Sequence, residues 1–407
     1  MPRAVKRVGI VGAGIIGLAC ACFLAEEGHQ VTLLDRDPEG DKCSWGNAGG
    51  IAASEIVPAS VPGLLWRVPR WLADPLGPLA LWPPHAVRML PWLRQFLAAG
   101  RRERVAAIAG ALAALNARIY EDLVPLLDAA GLTGALHRAG ALTVYATEAG
   151  FRRDAAERTV KRRHGFACVE LTGEEARGME PALAPTVRRG VFEPAWSHVS
   201  DPKRIWAGLL ALARARGSVV ERRDVTDLPA QCRGFDAVVV AAGAWSARLA
   251  ATLGDHALLE SERGYNTTLP APGVSLSREV IFAEHKFVAT PLEIGLRVGG
   301  AAEFAGLLRA PNHARSRALL ALARRFLPGL CEQGATAWMG HRPTTPDSLP
   351  VIGPSPRRPS VFYAFGHGHL GLTQAATTGR LIAALVAGRA PAIDLAPFSI
   401  ARFGSNA

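Results

Sequence analysis

Val8-Gly9-Ile10-Val11-Gly12-Ala13-Gly14-Ile15-Ile16-Gly17, followed by an apolar helical run and then Val31-Thr32-Leu33-Leu34-Asp35, is the stretch that decides the fold. It reads as strand, glycine-rich turn, helix, strand and terminal acid, the order of a dinucleotide-binding βαβ unit. Gly12 permits a tight turn, Gly14 lets the backbone approach a pyrophosphate, and Gly17 lets the helix lie close on the sheet. The helix start at Ala13, Ile15 and Ile16 presents unpaired N–H groups to phosphate. Asp35, with Arg36 beside it, ends the second strand where a carboxylate accepts hydrogen bonds from ribose hydroxyls. The glycines alone would be a weak signal; the complete unit with its acid is a strong one.

At 407 residues, 49% apolar and 20% charged, the chain is globular and long enough for two domains. The run from Val8 to Ala25 is apolar enough to resemble a membrane span, but its three fingerprint glycines and the strand after it point to a buried βαβ unit. No signal-cleavage pattern is visible, so a cytoplasmic location is expected. The six cysteines show neither a CxxC pair nor metal-ligand spacing, which reads as reduced, mostly buried thiols and no metal site. The formal charge of +11 is carried mainly by arginine. The dense basic run Arg152 to Arg163 lacks interleaved aromatics, so it reads as a solvated helix face, with no nucleic-acid partner expected.

Downstream, residues 103–130 carry apolar positions at helical spacing and predict one long helix. Helices are also expected over 150–164, 201–216, about 312–327 and 372–387. Phe235 to Ser246 reads as a buried strand ending at small residues, and 278–300 as short antiparallel strands. The chain closes on a strand at 361–364 and a second glycine-rich turn, Gly366-His367-Gly368-His369-Leu370-Gly371, which feeds a helix. A plain NAD enzyme gives no reason for that second turn.

Taken together, these blocks resemble the D-amino-acid oxidase and dehydrogenase superfamily of FAD flavoproteins, over almost the whole chain. The resemblance is carried by the N-terminal fingerprint, the Ser44/Asn47/Ala48/Gly49 loop and Ala241-Ala242-Gly243-Ala244-Trp245. It continues through Leu296-Arg297-Val298-Gly299-Gly300 with Glu303, Arg342-Pro343, Pro346-Asp347, Pro350-Val351-Ile352-Gly353 and the Gly-His-Gly turn. The nearest look is to bacterial D-amino-acid dehydrogenase, with D-proline and D-hydroxyproline dehydrogenases alike in these places. The resemblance implies an α/β fold: a Rossmann-type FAD domain over 1–80, 195–255 and 335–407, and an inserted α+β substrate domain with an antiparallel sheet over 81–194 and 256–334. It also implies noncovalent FAD. Sarcosine oxidases carry a cysteine at the position that lines up with Gly340, and the loop that holds an attaching histidine in other relatives reads Cys43-Ser44-Trp45.

By the same resemblance, Ser44, Asn47, Ala48, Gly49 and Ile51 line the pyrophosphate and flavin, and Val225 meets adenine. Ala242, Gly243, Trp245 and Gly340 join them. Gly368, His369, Leu370, Gly371, Leu372 and Thr373 supply N–H groups and a positive helix end to the flavin edge where charge accumulates on reduction. Arg342 is expected over the flavin, where a planar guanidinium matches the substrate carboxylate bidentately. Tyr265 and His341 are candidates for closing the pocket, and His367 and His369 for moving protons. The implied reaction is oxidation of a small D-amino or cyclic imino acid to the imine, with hydride passing from Cα to flavin N5. Alternatives are a sarcosine- or glycine-type oxidase, a 2-hydroxyacid dehydrogenase, and the flavin subunit of a hetero-oligomeric electron-transfer complex.

Residues 64–100 hold Trp66, Trp71, Trp82 and Trp92 beside Arg67, Arg70, Arg88 and Arg94. Their prolines forbid one long helix. The segment reads either as a packing layer over the active-site entrance or as a peripheral contact on the inner face of the cell membrane, where a quinone acceptor would be met.

Overall fold

The computed structural model describes residues 5–404 except 67, 75 and 76, and at 65 and 70 the backbone only. Six strands form one sheet in the order Val219–Arg222, Gln30–Asp35, Arg7–Val11, Ala237–Val240, Val361–Phe365, Val351–Pro354. All neighbours run parallel except the last pair. The parallel strands are near-continuous apolar runs because helices and loops cover both faces. On one face the fingerprint helix, Ile15–Glu26, packs against the C-terminal helix, Gly371–Val386, and against Pro202–Ala215. A Cβ at Gly379 would lie 2.8 Å from the Ala19 backbone, so glycine there allows the first two helices to touch. Leu18, Leu24, Ile10 and Leu33 are fully buried in this layer, each burial contributing roughly 1.5–3 kcal/mol.

A second, nine-stranded sheet runs Thr336–Thr344, Glu260–Leu269, Gly295–Phe304, Phe287–Leu292, Glu279–Phe282, Ala141–Tyr145, Arg189–Glu193, Val169–Thr172, with Leu79–Leu81 joined to Gly295–Phe304. Most pairs are antiparallel, but Glu279–Phe282 lies parallel to Ala141–Tyr145. Period-two alternation gives this sheet two characters. Leu142, Val144, Val280 and Phe282 face a core closed by helix Ala314–Ala323. Ala141, Thr143, Glu279 and Ile281 face the other way. A small third sheet joins Gly50–Ile51, Ser197–Val199 and Leu136–His137.

Several sequence expectations are corrected. The long helix over 103–130 is two, Arg102–Asn116 and Ile119–Ala129. Asn116 ends the first because its buried amide is drawn out of the helix pattern to the carbonyls of Ala53 (3.2 Å) and Glu55 (3.1 Å). The helix over 150–164 is divided at Asp154 into Glu148–Arg153 and Ala155–Arg163. Its basic run is not simply a solvated face, because Arg158 and Lys161 are buried. Arg158 donates to the Phe151 carbonyl at 2.9 Å and to Glu170 at 3.2 Å. Residues 336–344, given no element from the sequence, form an edge strand.

Residues 64–100 fold as Leu64–Trp66, Val68–Ala73, Leu79–Leu81, Pro83–Ala86 and Leu90–Ala99. Prolines 69, 83, 84 and 91 stand at helix starts, where the missing N–H costs nothing. Trp92 is buried, stacked on Phe96 at 5.0 Å and donating to the Thr344 carbonyl at 3.1 Å. Trp66 is 90% exposed. Arg67 lies outside the described residues. Among the described residues, no helix is long and apolar enough to cross a membrane.

Candidate active site

A cavity of 1310 Å³ runs between the two large sheets. It exceeds the roughly 300–1,000 Å³ of an ordinary small-ligand pocket, leaving room for a dinucleotide and a small substrate together. At one end Gly12 has φ +108°, and a Cβ there would lie 2.5 Å from the Ala241 carbonyl oxygen, so only glycine fits this turn. The fingerprint helix begins at Gly14 with neither a capping side chain nor an acid in its first turn. Ser44 Oγ accepts the Ile15 N–H at 3.3 Å. Asp35 accepts from the Ala13 N–H (2.7 Å), the Asp37 N–H (2.9 Å) and Lys42 Nζ (3.1 Å). A carboxylate has about four acceptor sites, so Asp35 organises the turn and keeps capacity for one further donor. Arg36 lies over the Trp245 ring at 4.0 Å, and Trp245 meets His341 edge-on at 5.5 Å.

At the other end a short turn, Gly368–Leu370, leads into the C-terminal helix, which also starts without a capping side chain or first-turn acid. Two positive helix ends, neither with an acid in its first turn, thus open into one cavity. A molecule with anionic phosphates near one end and an electron-rich ring edge at the other satisfies both, which is the chemistry of FAD. Thr373 Oγ1 accepts the Ala52 N–H at 3.1 Å and ties residues 50–52 to this helix.

The expected cofactor positions Gly12, Gly14, Ile15, Ile16, Asp35, Arg36, Ser44, Asn47, Ala48 and Val225 all line the cavity. So do Ala242, Gly243, Trp245, Gly340, Arg342 and the run from Gly368 to Thr373. Ala13, Gly17, Gly49 and Ile51 do not. Ala13 is bonded on both sides, its N–H to Asp35 and its carbonyl to Trp206 Nε1 at 2.8 Å. A Cβ at Gly17 would lie 2.0 Å from the Gly12 carbonyl oxygen, so this glycine serves helix–turn packing. Gly49 (φ +100°) shapes the loop, and Ile51 is core. The Trp338 ring folds over Gly340, where a Cβ would meet it at 1.9 Å.

The Arg342 guanidinium rests on Gly264 and donates through Nη1 to Glu262 (2.8 Å) and the Ala301 carbonyl (3.0 Å). Nε and Nη2 have no hydrogen-bond partner among the described residues. Tyr265 also lines the cavity, but its hydroxyl is taken by Glu303 and by the Asn312 N–H at 3.0 Å, which commits it to positioning that segment. Two of the histidines, His367 and His341, are committed as well. Burial pushes His367 down to about 3, and its Nε2 pairs with Thr378 Oγ1 at 2.9 Å. Burial, with Arg263 and Arg36 nearby, pushes His341 down to about 4, and its Nδ1 pairs with Ser261 Oγ at 2.7 Å. His369 is lowered by burial, partly offset by Glu262. All three rings are therefore neutral near pH 7. Asp347 binds the Leu349 N–H and Arg402, a structural pairing.

Glu262, Glu279 and Trp338 are among the cavity residues missed from the sequence. Glu262 becomes the partner of Arg342 through the pairing of strands 260–269 and 336–344, in which the two residues stand opposite. No local motif announces that register.

The FAD dependent oxidoreductase family, DAO, matches residues 7–385. The D-amino-acid oxidase of Bradyrhizobium diazoefficiens is 36% identical, covering 98% of this chain and 99% of that protein. The D-amino acid dehydrogenase of Paramagnetospirillum magneticum is 33% identical, covering 98% and 99%. Among solved structures, glycine oxidase from Geobacillus kaustophilus superimposes with a TM-score of 0.70 at 27% identity, covering 98% and 99%. With its glycine turn, acid and second helix start in one cavity, the chain belongs to the DAO family of FAD-dependent oxidoreductases.

Proposed function

We propose that this enzyme oxidises the Cα–N bond of a small D-amino or cyclic imino acid, with Arg342 holding the substrate carboxylate. One observation carries the reading: Arg342 and the uncapped start of the C-terminal helix line the same cavity. FAD, when bound, supplies the two-electron acceptor for the Cα hydride. The residues of this chain bind, orient and exclude water. The turn at Gly12–Gly14 and the start of the fingerprint helix hold the pyrophosphate, Asp35 the ribose, and Gly368–Thr373 the flavin oxygen edge. Gly340 offers no side chain for attachment, and the Cys43 thiol donates to the His341 carbonyl at 3.0 Å, both consistent with noncovalent FAD. Glu262 and the Ala301 carbonyl fix the rotamer of Arg342 through Nη1, which leaves Nε and Nη2 to bind the substrate carboxylate. The oxidase and dehydrogenase named above act on D-amino acids by their names, which supports the same class here.

The proposed domain division follows the parallel-rich sheet, although strand Thr336–Thr344 of the nine-stranded sheet falls in the FAD set and helices Arg102–Asn116 and Ile119–Ala129 of the substrate set pack into the FAD-domain core. Residues 1–80, 195–255 and 335–407 form the FAD domain and 81–194 with 256–334 the substrate domain; all six strands of the parallel-rich sheet fall in the first set. For the acceptor, the reading is a quinone reached by peripheral membrane contact. It is supported by exposed Trp66, Leu72, Val87, Leu90 and Leu97 within one arginine-bearing segment. A panel of D- and L-amino, imino and 2-hydroxy acids, assayed with a dye acceptor and by oxygen uptake, tests both parts. Turnover of D-amino or imino acids with dye and little peroxide is expected. Preference for 2-hydroxy acids overturns the substrate class, and rapid oxygen consumption overturns the acceptor.

A further inference from the structure

The reaction needs its amine uncharged, because the nitrogen lone pair assists departure of the Cα hydride, yet amino acids arrive as ammonium ions. Something must take a proton. The three cavity histidines are neutral but already bonded or pushed down by burial, as described above. Of the charged groups lining the cavity that the proposed function leaves unassigned, the buried ones, Lys42, Arg158, Lys161 and Glu193, are ion-paired, and Glu279 is not, among the described residues.

Glu279 begins strand Glu279–Phe282. Strand register places it in a row with Thr290 on one side and Ala141 then Glu193 on the other. Its neighbours on the same face, Ile281 and Thr143, line the cavity, and so does Glu279 itself. It is 3% exposed. A Cβ added to Gly50 would lie 2.3 Å from Glu279 Oε2, so the carboxylate lies on the backbone of residues 50–52, which Thr373 ties to the flavin-edge helix. Its partner is neutral: Thr290 Oγ1 donates to Oε2 at 3.1 Å. The other buried glutamates each have a cation, Glu180 with Arg278, Glu193 with Lys161 and Glu303 with Arg263. Among the described residues, Glu279 is the buried glutamate without one. An unpaired buried carboxylate is costly to keep ionised, and a substrate ammonium is the cation that would complete it.

We propose that Glu279 accepts the proton of the substrate's ammonium group and thereby presents a neutral amine for oxidation; this rests on the proposed amino-acid chemistry. An N–H bond breaks, its electrons remain on nitrogen, and an O–H bond forms on Glu279. The proton returns to solvent after product leaves. Burial, opposed only by the Thr290 hydrogen bond, pushes the Glu279 carboxyl up to about 7, so it is ionised and able to accept above that pH. The ionisable groups on the elements around it are otherwise engaged. Glu193 is paired with Lys161, and Arg297 is bonded to Thr268 and the carbonyls of Trp45 and Asn47. His198, opposite Gly50 in the small sheet, is pushed down to about 4 by burial and His137.

The test uses the FAD-loaded enzyme and Glu279→Gln, with flavin content and thermal midpoint checked first. For a D-amino acid that the parent oxidises, kcat/KM of the parent should rise through about pH 7 and level off. Glu279→Gln should lose about 10²- to 10⁴-fold near pH 7.5, with the loss shrinking toward pH 10 as solvent supplies neutral amine. A second readout needs no turnover: binding of 2-aminoisobutyrate, which has no Cα hydrogen, followed by the flavin absorbance. Its pH dependence near 7 should vanish in Glu279→Gln, while isobutyrate binds both proteins alike. Thr290→Val, which removes the bond favouring the ionised carboxyl, should move the acid limb to higher pH. A loss that is equal at every pH, or no loss, overturns the proposal, as does an unmoved limb in Thr290→Val. A parent that oxidises no amino or imino acid overturns the proposed function instead.

Discussion

The two ends of the cavity are built on different principles. At the adenosine end the proposed recognising element is backbone: the tight turn at Gly12 and the start of the fingerprint helix, with Asp35 accepting the Ala13 N–H at 2.7 Å to hold the turn. At the substrate end the proposed recognising groups are side chains from separate strands. Arg342 is held by Glu262 at 2.8 Å, and Glu279 is set by Thr290 at 3.1 Å. Backbone recognition tolerates little change in conformation but much in side chain. Side-chain recognition does the reverse, which is how one scaffold can keep its cofactor while its substrate changes.

This contrast is broken most readily at Gly12. Gly12→Ala places a side chain at φ +108° and 2.5 Å from a carbonyl oxygen. Such a backbone position costs on the order of 1–3 kcal/mol before the clash is added. The purified variant should carry essentially no flavin, as read from the ratio of visible to ultraviolet absorbance; full flavin content would refute the backbone account. At the opposite end, Arg342→Ala should raise the apparent KM for the amino acid by about 2–5 kcal/mol of lost binding while flavin content stays at the parent level. An unchanged KM would move the carboxylate site elsewhere. If flavin is lost instead, the two ends are not separable.

Asp35→Ala lies between these cases, since it removes a side chain that organises backbone. Leaving buried donors unpaired costs about 1–3 kcal/mol, so FAD should dissociate measurably faster by fluorescence while kcat of the loaded enzyme holds. The smallest effect on stability is expected at Trp66→Ser. At 90% exposure it should shift stability by no more than about 0.5 kcal/mol, yet reduce flotation with anionic vesicles at low salt. Equal flotation of parent and variant would leave the membrane reading without its anchor.

The same division explains what could be read from the sequence. The adenosine end was legible because its parts are contiguous: turn, helix and acid lie between Val8 and Asp35, and their spacing is their geometry. Arg342 and the Gly366–Thr373 turn were legible through family blocks. Glu262 and Glu279 were not, because each acquires its partner from cross-strand register, a property of two distant segments together. Asn116 interrupted an otherwise good helix pattern by bonding to the loop at Ala53 and Glu55. Arg158 and Lys161 looked like surface charge because their carboxylate partners, Glu170 for the first and Glu157, Glu193 and Glu55 for the second, are scattered along the chain. The tryptophans of residues 64–100 looked alike by composition, but packing on Phe96 and Phe304 buried Trp92 and left Trp66 outside.

The most direct test of the central claim is anaerobic mixing of the FAD-loaded enzyme with single enantiomers, watching the visible flavin band. The account predicts bleaching by one or more D-amino or cyclic imino acids, none by their L-enantiomers, and much slower bleaching in Arg342→Ala at the same concentration. A flavin that every amino and imino acid leaves oxidised, but that a 2-hydroxy acid bleaches, would contradict it.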